Sequence, residues 1–133
     1  MDLQWIARIE GPHRQELHAL YRNEWWTKNR QFDDVVRMLD HCDIVIGCCA
    51  EGKLVGFARV LTDYVYKAMI FDVIVDEKFR GTGLGQKIME RIKGHEKLQS
   101  MASFELYCPD RLIPFYEKMG FAAGTSSLLR HQP

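Results

Sequence analysis

An apolar run, Met69-Ile70-Phe71-Asp72-Val73-Ile74-Val75, leads through Asp76-Glu77-Lys78-Phe79 to Arg80-Gly81-Thr82-Gly83-Leu84-Gly85, and an amphipathic stretch comes directly after. A strand must therefore give way to a helix across a glycine turn. Glycines at 81, 83 and 85 let the backbone approach a ligand closely, and the first free N–H groups of the helix point at whatever sits there. An anion is the natural occupant. The helix macrodipole supplies partial positive charge at that end, and Arg80 supplies a full charge that does not titrate away.

Two other phosphate motifs fit this turn poorly. The pattern G-x-G-x-x-G needs glycine where Gln86 stands, and G-x-x-x-x-G-K-[ST] has no match. The chain has 133 residues, which suggests one domain over 1–133, long enough to bury about two-thirds of its unfolded surface. Its 18 basic and 18 acidic residues give zero formal net charge, which argues against nucleic acid as a partner. The start, Met1-Asp2-Leu3-Gln4-Trp5, lacks a basic apolar leader, and no run approaches a membrane span, so neither a membrane nor a secretory route is expected and the location expected is the cytosol. Cys42, Cys48, Cys49 and Cys108 lack C-x-x-C spacing, and Cys48 and Cys49 should point to opposite faces of a strand. No metal is expected, since the histidines are scattered too.

Along the chain, Leu3 to Ile9 reads as a strand closed by Gly11-Pro12. A helix follows from Pro12 to Asn23, with Leu17, Leu20 and Tyr21 at helical spacing. Phe32, Val35, Val36 and Leu39 set a second helix across Lys28 to Asp40. Ile44–Ala50 and Lys53–Leu61 are β-rich and joined by Glu51-Gly52, a hairpin signature. Val65–Val75 makes the strand that enters the glycine turn, and Leu84, Ile88 and Ile92 line one stripe of the helix that leaves it, before Gly94. Ser103–Cys108 alternates as a further strand. Arg111–Lys118 is a short helix stopped by Gly120, and Phe121–Ala123 with Ser127–Arg130 could close the sheet as a last hairpin.

The spacing Arg80-x-x-Gly83-x-Gly85 resembles the acyl-CoA signature of the GCN5-related N-acetyltransferases (GNAT), Q/R-x-x-G-x-G/A. The segment Leu106 to Phe121 is similar to that family's last block, with Phe115-Tyr116-Glu117-Lys118-Met119-Gly120-Phe121 matching its core F-Y-x-K-x-G-F. The resemblance spans nearly the whole chain. It implies an α/β fold with a central, mostly antiparallel sheet of roughly six to seven strands and about four helices, splayed at the acyl-CoA site. It implies acetyl-CoA as cosubstrate, with the pyrophosphate on Arg80, Gly81, Thr82, Gly83, Leu84 and Gly85. The pantetheine arm would pair with backbone groups of Val73 and Val75, as an added strand does. A backbone N–H near Val73 would serve the oxyanion.

The family commonly uses the tyrosine at the Tyr116 position as general acid, and a phenol with pKa near 10 suits protonation of a leaving thiolate at neutral pH. Asp72 is the conspicuous candidate base, because a carboxylate on an apolar strand should have a raised pKa or a partner. An aspartate beside a strand bulge, bonded to backbone or to a first-helix residue, explains the same letter, and ordered water could pass the proton instead. Tyr21, Trp25 and Trp26 lie where relatives build the acceptor pocket, and an aromatic wall there could hold an arylalkylamine or alkylammonium. Core packing and a dimer contact account for them equally well. Tyr64 and Tyr66 also fall near the expected cleft.

The function this implies is an acetyl-CoA-dependent N-acetyltransferase that transfers an acetyl group to a small primary amine by direct attack in a ternary complex. A ping-pong route through Cys108 is less suited to a strand-end thiol. The competing readings are an acyl-CoA-binding module without turnover and a protein lysine or N-terminal acetyltransferase. A two-fold homodimer is the commonest assembly on general grounds.

Overall fold

The computed structural model describes residues 2–133. Strand β1 (Leu3–Ile6) is followed by helices α1 (Pro12–Arg22) and α2 (Phe32–Leu39). Strands β2 (Ile44–Ala50), β3 (Lys53–Thr62) and β4 (Lys67–Val75) come next, then helix α3 (Leu84–Lys93), strand β5 (Ser103–Glu105) and helix α4 (Ile113–Glu117). The five strands form one sheet in sequence order. Every neighbouring pair is antiparallel except β4 and β5, which run parallel because α3 carries the chain between them.

Local chemistry explains the elements. Pro12 sits in the first turn of α1, where its missing N–H costs nothing. Glu51 and Gly52 both have positive φ, 52° and 79°, the two-residue turn that matches the twist of a hairpin. Strand β2 is buried along its full length, since both faces of the sheet are covered. One face carries α3 and α4 over Ile46, Cys48, Val60, Ile70, Leu84, Ile88 and Tyr116. The other carries α1 and α2 over Leu17, Tyr21, Val35, Cys49, Phe57 and Ile74. Adjacent Cys48 and Cys49 thus enter opposite cores as unpaired thiols.

Several boundaries and the strand count differ from the sequence reading: β1 ends at Ile6 rather than Ile9, β4 begins at Lys67 rather than Val65, and α4 spans Ile113–Glu117 rather than Arg111–Lys118. Helix α2 begins at Phe32 rather than Lys28, because residues 24–30 are turns pinned by Thr27, whose hydroxyl donates to the Tyr21 carbonyl at 2.7 Å, and by Arg30, drawn to Asp72. Strand β5 ends at Glu105 rather than Cys108, since its pairing with β4 stops at Met69. The sheet among the described residues has five strands rather than six or seven. Phe121 folds back so that its N–H donates to the Tyr116 carbonyl and its ring meets Tyr116 edge-on, which leaves Phe121–Ala123 no extended partner. Leu128 and Leu129 lie exposed beyond it.

Phe57 ties the α1/α2 core to the sheet: it is fully buried and meets the Tyr21 ring edge-on, 6.1 Å between centroids. Phe57→Ala should cost about 3–5 kcal/mol of stability in denaturant titration, the range for a buried phenylalanine replaced by a cavity.

Candidate active site

The parallel pair β4–β5 is joined only over Lys67–Met69 against Ser103–Glu105, and past it the two chains diverge. The upper half of β4 therefore has one free edge. The Asp76 N–H donates to the Val55 carbonyl on β3, so by strand alternation the backbone groups of Val75 and Val73 point away from β3 and into the opening. The Arg80 Nε reaches the Val75 carbonyl from that side, at 3.4 Å.

At the top of this edge stands the glycine turn. Gly83 caps α3 in the left-handed region, φ 85°, where a side chain would be strained. The N–H groups of Gly81 through Gln86 have no hydrogen-bond partner among the described residues, so the helix start presents a row of donors. Thr82 anchors the turn by donating its hydroxyl to the Phe79 carbonyl, and Leu84 turns its side chain into the core. Gly85 has a packing role: a Cβ there would lie 3.3 Å from the Phe115 ring, so its absence lets α4 close against α3. The Arg80 guanidinium also pairs with Glu24 from the turn after α1.

Tyr116 sits on α4, buried between Phe115 and Phe121, and Phe115 is the ring that packs against Gly85. Its hydroxyl has no hydrogen-bond partner among the described residues and is not sealed from solvent. Burial, then the neighbouring Cys108 thiol, push its pKa up to about 12. Burial raises the Cys108 thiol as well, aided by Asp110, which makes it a poor thiolate source.

Asp72 sits at a bulge, where Asp72 and Val73 of β4 face only Ala58 of β3, and its φ is 56°. Its carboxylate is caged. Oδ2 accepts from Arg30 Nη1 at 2.6 Å, Arg59 Nε at 2.7 Å and the Tyr21 hydroxyl at 2.9 Å, while Oδ1 accepts from Arg30 Nη2 at 3.3 Å. Burial pushes its pKa up, but the hydrogen bonds from Arg30 and Arg59 outweigh this and hold it below the usual carboxylate range. Of the two expectations for this carboxylate, a raised pKa or a partner, the structure shows the partners, and with them a lowered pKa rather than that of a raised base. The carboxyl is an anchor with its lone pairs spent, and the bulge bonded to the first helix is what is found.

Tyr21 is likewise corrected as a wall residue. It is fully buried, its hydroxyl is spent on Asp72, and Arg30 covers its ring at 4.8 Å. Burial, then Asp72, raise its pKa. Trp25 and Trp26 are 71% and 41% exposed and stack on no ring among the described residues, so the three aromatics do not form one surface. The Phe71 ring meets Tyr107 edge-on at the lip of the opening, and Tyr64 and Tyr66 lie exposed in the β3–β4 turn. Arg30, Arg59 and Glu24 escaped the sequence reading. The signal for Arg59 was available, since a lone arginine in the apolar run Val55–Leu61 mirrors the lone aspartate in Met69–Val75.

A separate open groove of about 640 Å³ lies along α3 and β1–β2, between Trp5, Val45, Lys87, Arg91 and His95. It is remote from Val73, Arg80 and Tyr116, and Arg91 there is stacked over Trp5 at 4.3 Å. No group of histidine, cysteine and acidic residues among the described residues could hold a metal ion, and no helix is long and apolar enough to cross a membrane.

A family model for the acetyltransferase (GNAT) family matches residues 4–121, so the chain belongs to that family. It is 33% identical over 97 residues to serotonin N-acetyltransferase 2 of Oryza sativa subsp. japonica, a match that covers 70% of this chain and 48% of that protein. It is 38% identical over 116 residues to GCN5-related N-acetyltransferase 1 of Arabidopsis thaliana, covering 86% of this chain and 58% of that one. The chain thus spans about half the length of these relatives. Among solved structures, a GNAT-family acetyltransferase of Xanthomonas campestris pv. campestris superposes with a TM-score of 0.84 at 26% identity, covering 100% of this chain and 95% of that one. The rice and Arabidopsis relatives are chloroplastic, which overturns the expected cytosolic location.

Replacing Asp72 by asparagine leaves two guanidiniums short of a counter-charge. A loss of about 3 kcal/mol is expected, the low end of the range for a broken buried pair, because Arg30 is a third exposed. The pH dependence has a definite sign. With the native pKa depressed, the stabilisation is complete above an unfolded-state value of about 4 and disappears as pH falls through the lower native value. Denaturant midpoints from pH 7 to pH 2 should show this slope in the wild type and a shallower one in Asp72→Asn.

Proposed function

We propose that this chain is an acetyl-CoA-dependent N-acetyltransferase that acetylates a small primary amine by direct attack in a ternary complex. One observation carries the reading: the open β4 edge leads directly to the row of free amides at the start of α3, and α4, which carries Tyr116, packs against that helix start through Phe115 on Gly85. The residues present fit the cosubstrate. Gly81 to Gln86 offer N–H groups and Arg80 a guanidinium to a pyrophosphate, and Val73 and Val75 offer strand-like pairing to a pantetheine amide. Acetyl-CoA would supply an activated thioester, and the chain supplies its positioning and the proton.

In this reading the Val73 N–H, aimed into the opening, stabilises the negative charge that develops on the acetyl oxygen. Tyr116 gives its proton to the departing sulfur, and burial keeps that proton in place at neutral pH. The caged carboxylate of Asp72 supports solvent rather than a side chain as the proton acceptor from the amine, with Asp72 fixing the strand that carries Val73. For location, the chloroplastic relatives support a plastid rather than the cytosol.

Thiol release from acetyl-CoA, measured against a panel of arylalkylamines, polyamines, amino sugars, amino acids and peptides, tests the activity and the acceptor together. Tight CoA binding with no turnover on any amine would sink the enzyme reading in favour of a binding module. Tyr116→Phe should lower kcat about a hundredfold with CoA binding unchanged. Because Tyr116 titrates at about 12, the wild-type kcat should show no alkaline limb from this group through pH 10. Arg80→Gln should weaken CoA binding about tenfold by calorimetry while sparing kcat, since a charge-assisted contact to the pyrophosphate is lost.

A further inference from the structure

The cluster around Asp72 is over-supplied with positive charge. Two guanidiniums share one carboxylate: among the described residues Asp72 is the acid that pairs with Arg30 and with Arg59. A single net positive charge is therefore left in a setting where the Arg59 side chain is only 15% exposed. Asp72 takes only the Nε of Arg59. Its two Nη groups meet no oxygen acceptor among the described residues, with only the Cys42 sulfur alongside, and neither is sealed from solvent.

The position of these free donors matters as much as their charge. Arg59 is two residues on from Phe57, so it lies on the α1/α2 face of the sheet. Its Cζ stands 4.8 Å from the Phe71 ring centroid, and Phe71 in turn meets Tyr107 at 5.9 Å. The row Arg59–Phe71–Tyr107 runs from β3 across β4 to the lip where β4 and β5 part. Asp72, which fixes Arg59, directly precedes Val73, whose backbone faces that same opening. An acceptor arriving from the α1/α2 face meets the Arg59 donors beside the place where acetyl transfer would occur.

Resting on the acetyltransferase reading above, we infer that the acceptor amine carries an oxyanion, a carboxylate or a phosphate ester, and that the Arg59 Nη groups hold it. Arg59 is then the residue that determines acceptor class. A guanidinium with two free, parallel N–H groups fits an oxyanion in fork geometry. A net positive cluster opposes a purely cationic amine and favours the neutral form of the attacking nitrogen, while an oxyanion on the same molecule offsets the charge.

Matched pairs separate the two oxyanion sources: β-alanine against propylamine for the carboxylate, 2-aminoethyl phosphate against ethanolamine for the phosphate. With saturating acetyl-CoA and thiol release as readout, the oxyanion-bearing member of at least one pair should be used about tenfold to a hundredfold better in kcat/KM, mainly through KM. Arg59→Met should lower kcat/KM for that member at least tenfold more than for its uncharged partner, and Arg59→Lys should retain part of the preference. Calorimetric CoA binding confirms that each variant is folded; where Arg59→Met fails this check, the wild-type pairs and Arg59→Lys decide. Equal or better use of propylamine and ethanolamine by the wild type, or equal losses on both members of a pair in Arg59→Met, overturns the inference. Tight CoA binding with no thiol release on any amine would overturn the acetyltransferase reading and this inference with it.

Discussion

The architecture of the site depends on one buried carboxylate. Asp72 collects Tyr21 from α1, Arg30 from the turns before α2 and Arg59 from β3, so three separate stretches of chain converge on a single side chain of β4. It does so from a left-handed backbone conformation that a branched residue would resist, but which aspartate tolerates. The bulge at this point gives β4 one more residue than β3 and re-aims the strand from Val73 onward. Without the anchor, the strand that presents Val73 would have no fixed phase, and the turns carrying Trp25 and Trp26 would lose their tie through Arg30.

The opening of the sheet arises from connectivity. A parallel pair requires a crossover, and α3 provides it, so β5 arrives with only three residues to pair before the chain turns toward α4. The missing pairing leaves the outward backbone groups of Val73 and the Val75 N–H without a strand partner, while the Val75 carbonyl is met only by Arg80 Nε. Those groups lead to the unpaired N–H groups of Gly81 to Gln86. In the proposed reading an extended amide chain ending in an anion would satisfy both sets at once, which would make one site of a short parallel pair and a glycine-started helix.

The glycine turn and the strand and helix on either side of it were legible in the sequence because they are local. The strand, Arg80, the three glycines and α3 lie within one stretch, and their geometry obeys nearest-neighbour rules. The hairpin at Glu51-Gly52 was legible for the same reason. The acceptor side was not. Tyr21 and Asp72 stand 51 positions apart and Arg30 and Asp72 stand 42 apart, and whether Tyr21 walls a pocket or braces a carboxylate is decided by packing across that distance. The closing hairpin failed for a related reason: β-prone letters at Ser127–Arg130 make a strand only where an edge is free to receive them, and Phe121 is drawn instead onto Tyr116.

Charge placement separates the two halves further. On the donor side, Arg80 is paired with Glu24 from the α1–α2 turn, so a pyrophosphate taking up that guanidinium must displace or share this carboxylate. On the acceptor side the balance is reversed, with one acid between two guanidiniums. Zero net charge over the whole chain conceals both arrangements, because the composition averages an arginine already neutralised at the glycine turn with one left in excess beneath the acceptor face. Since burial makes any imbalance more costly than it would be in water, the excess at Arg59 favours a bound negative group over solvent alone. The local charge count around Asp72, rather than the net charge of the protein, is therefore what bears on the acceptor.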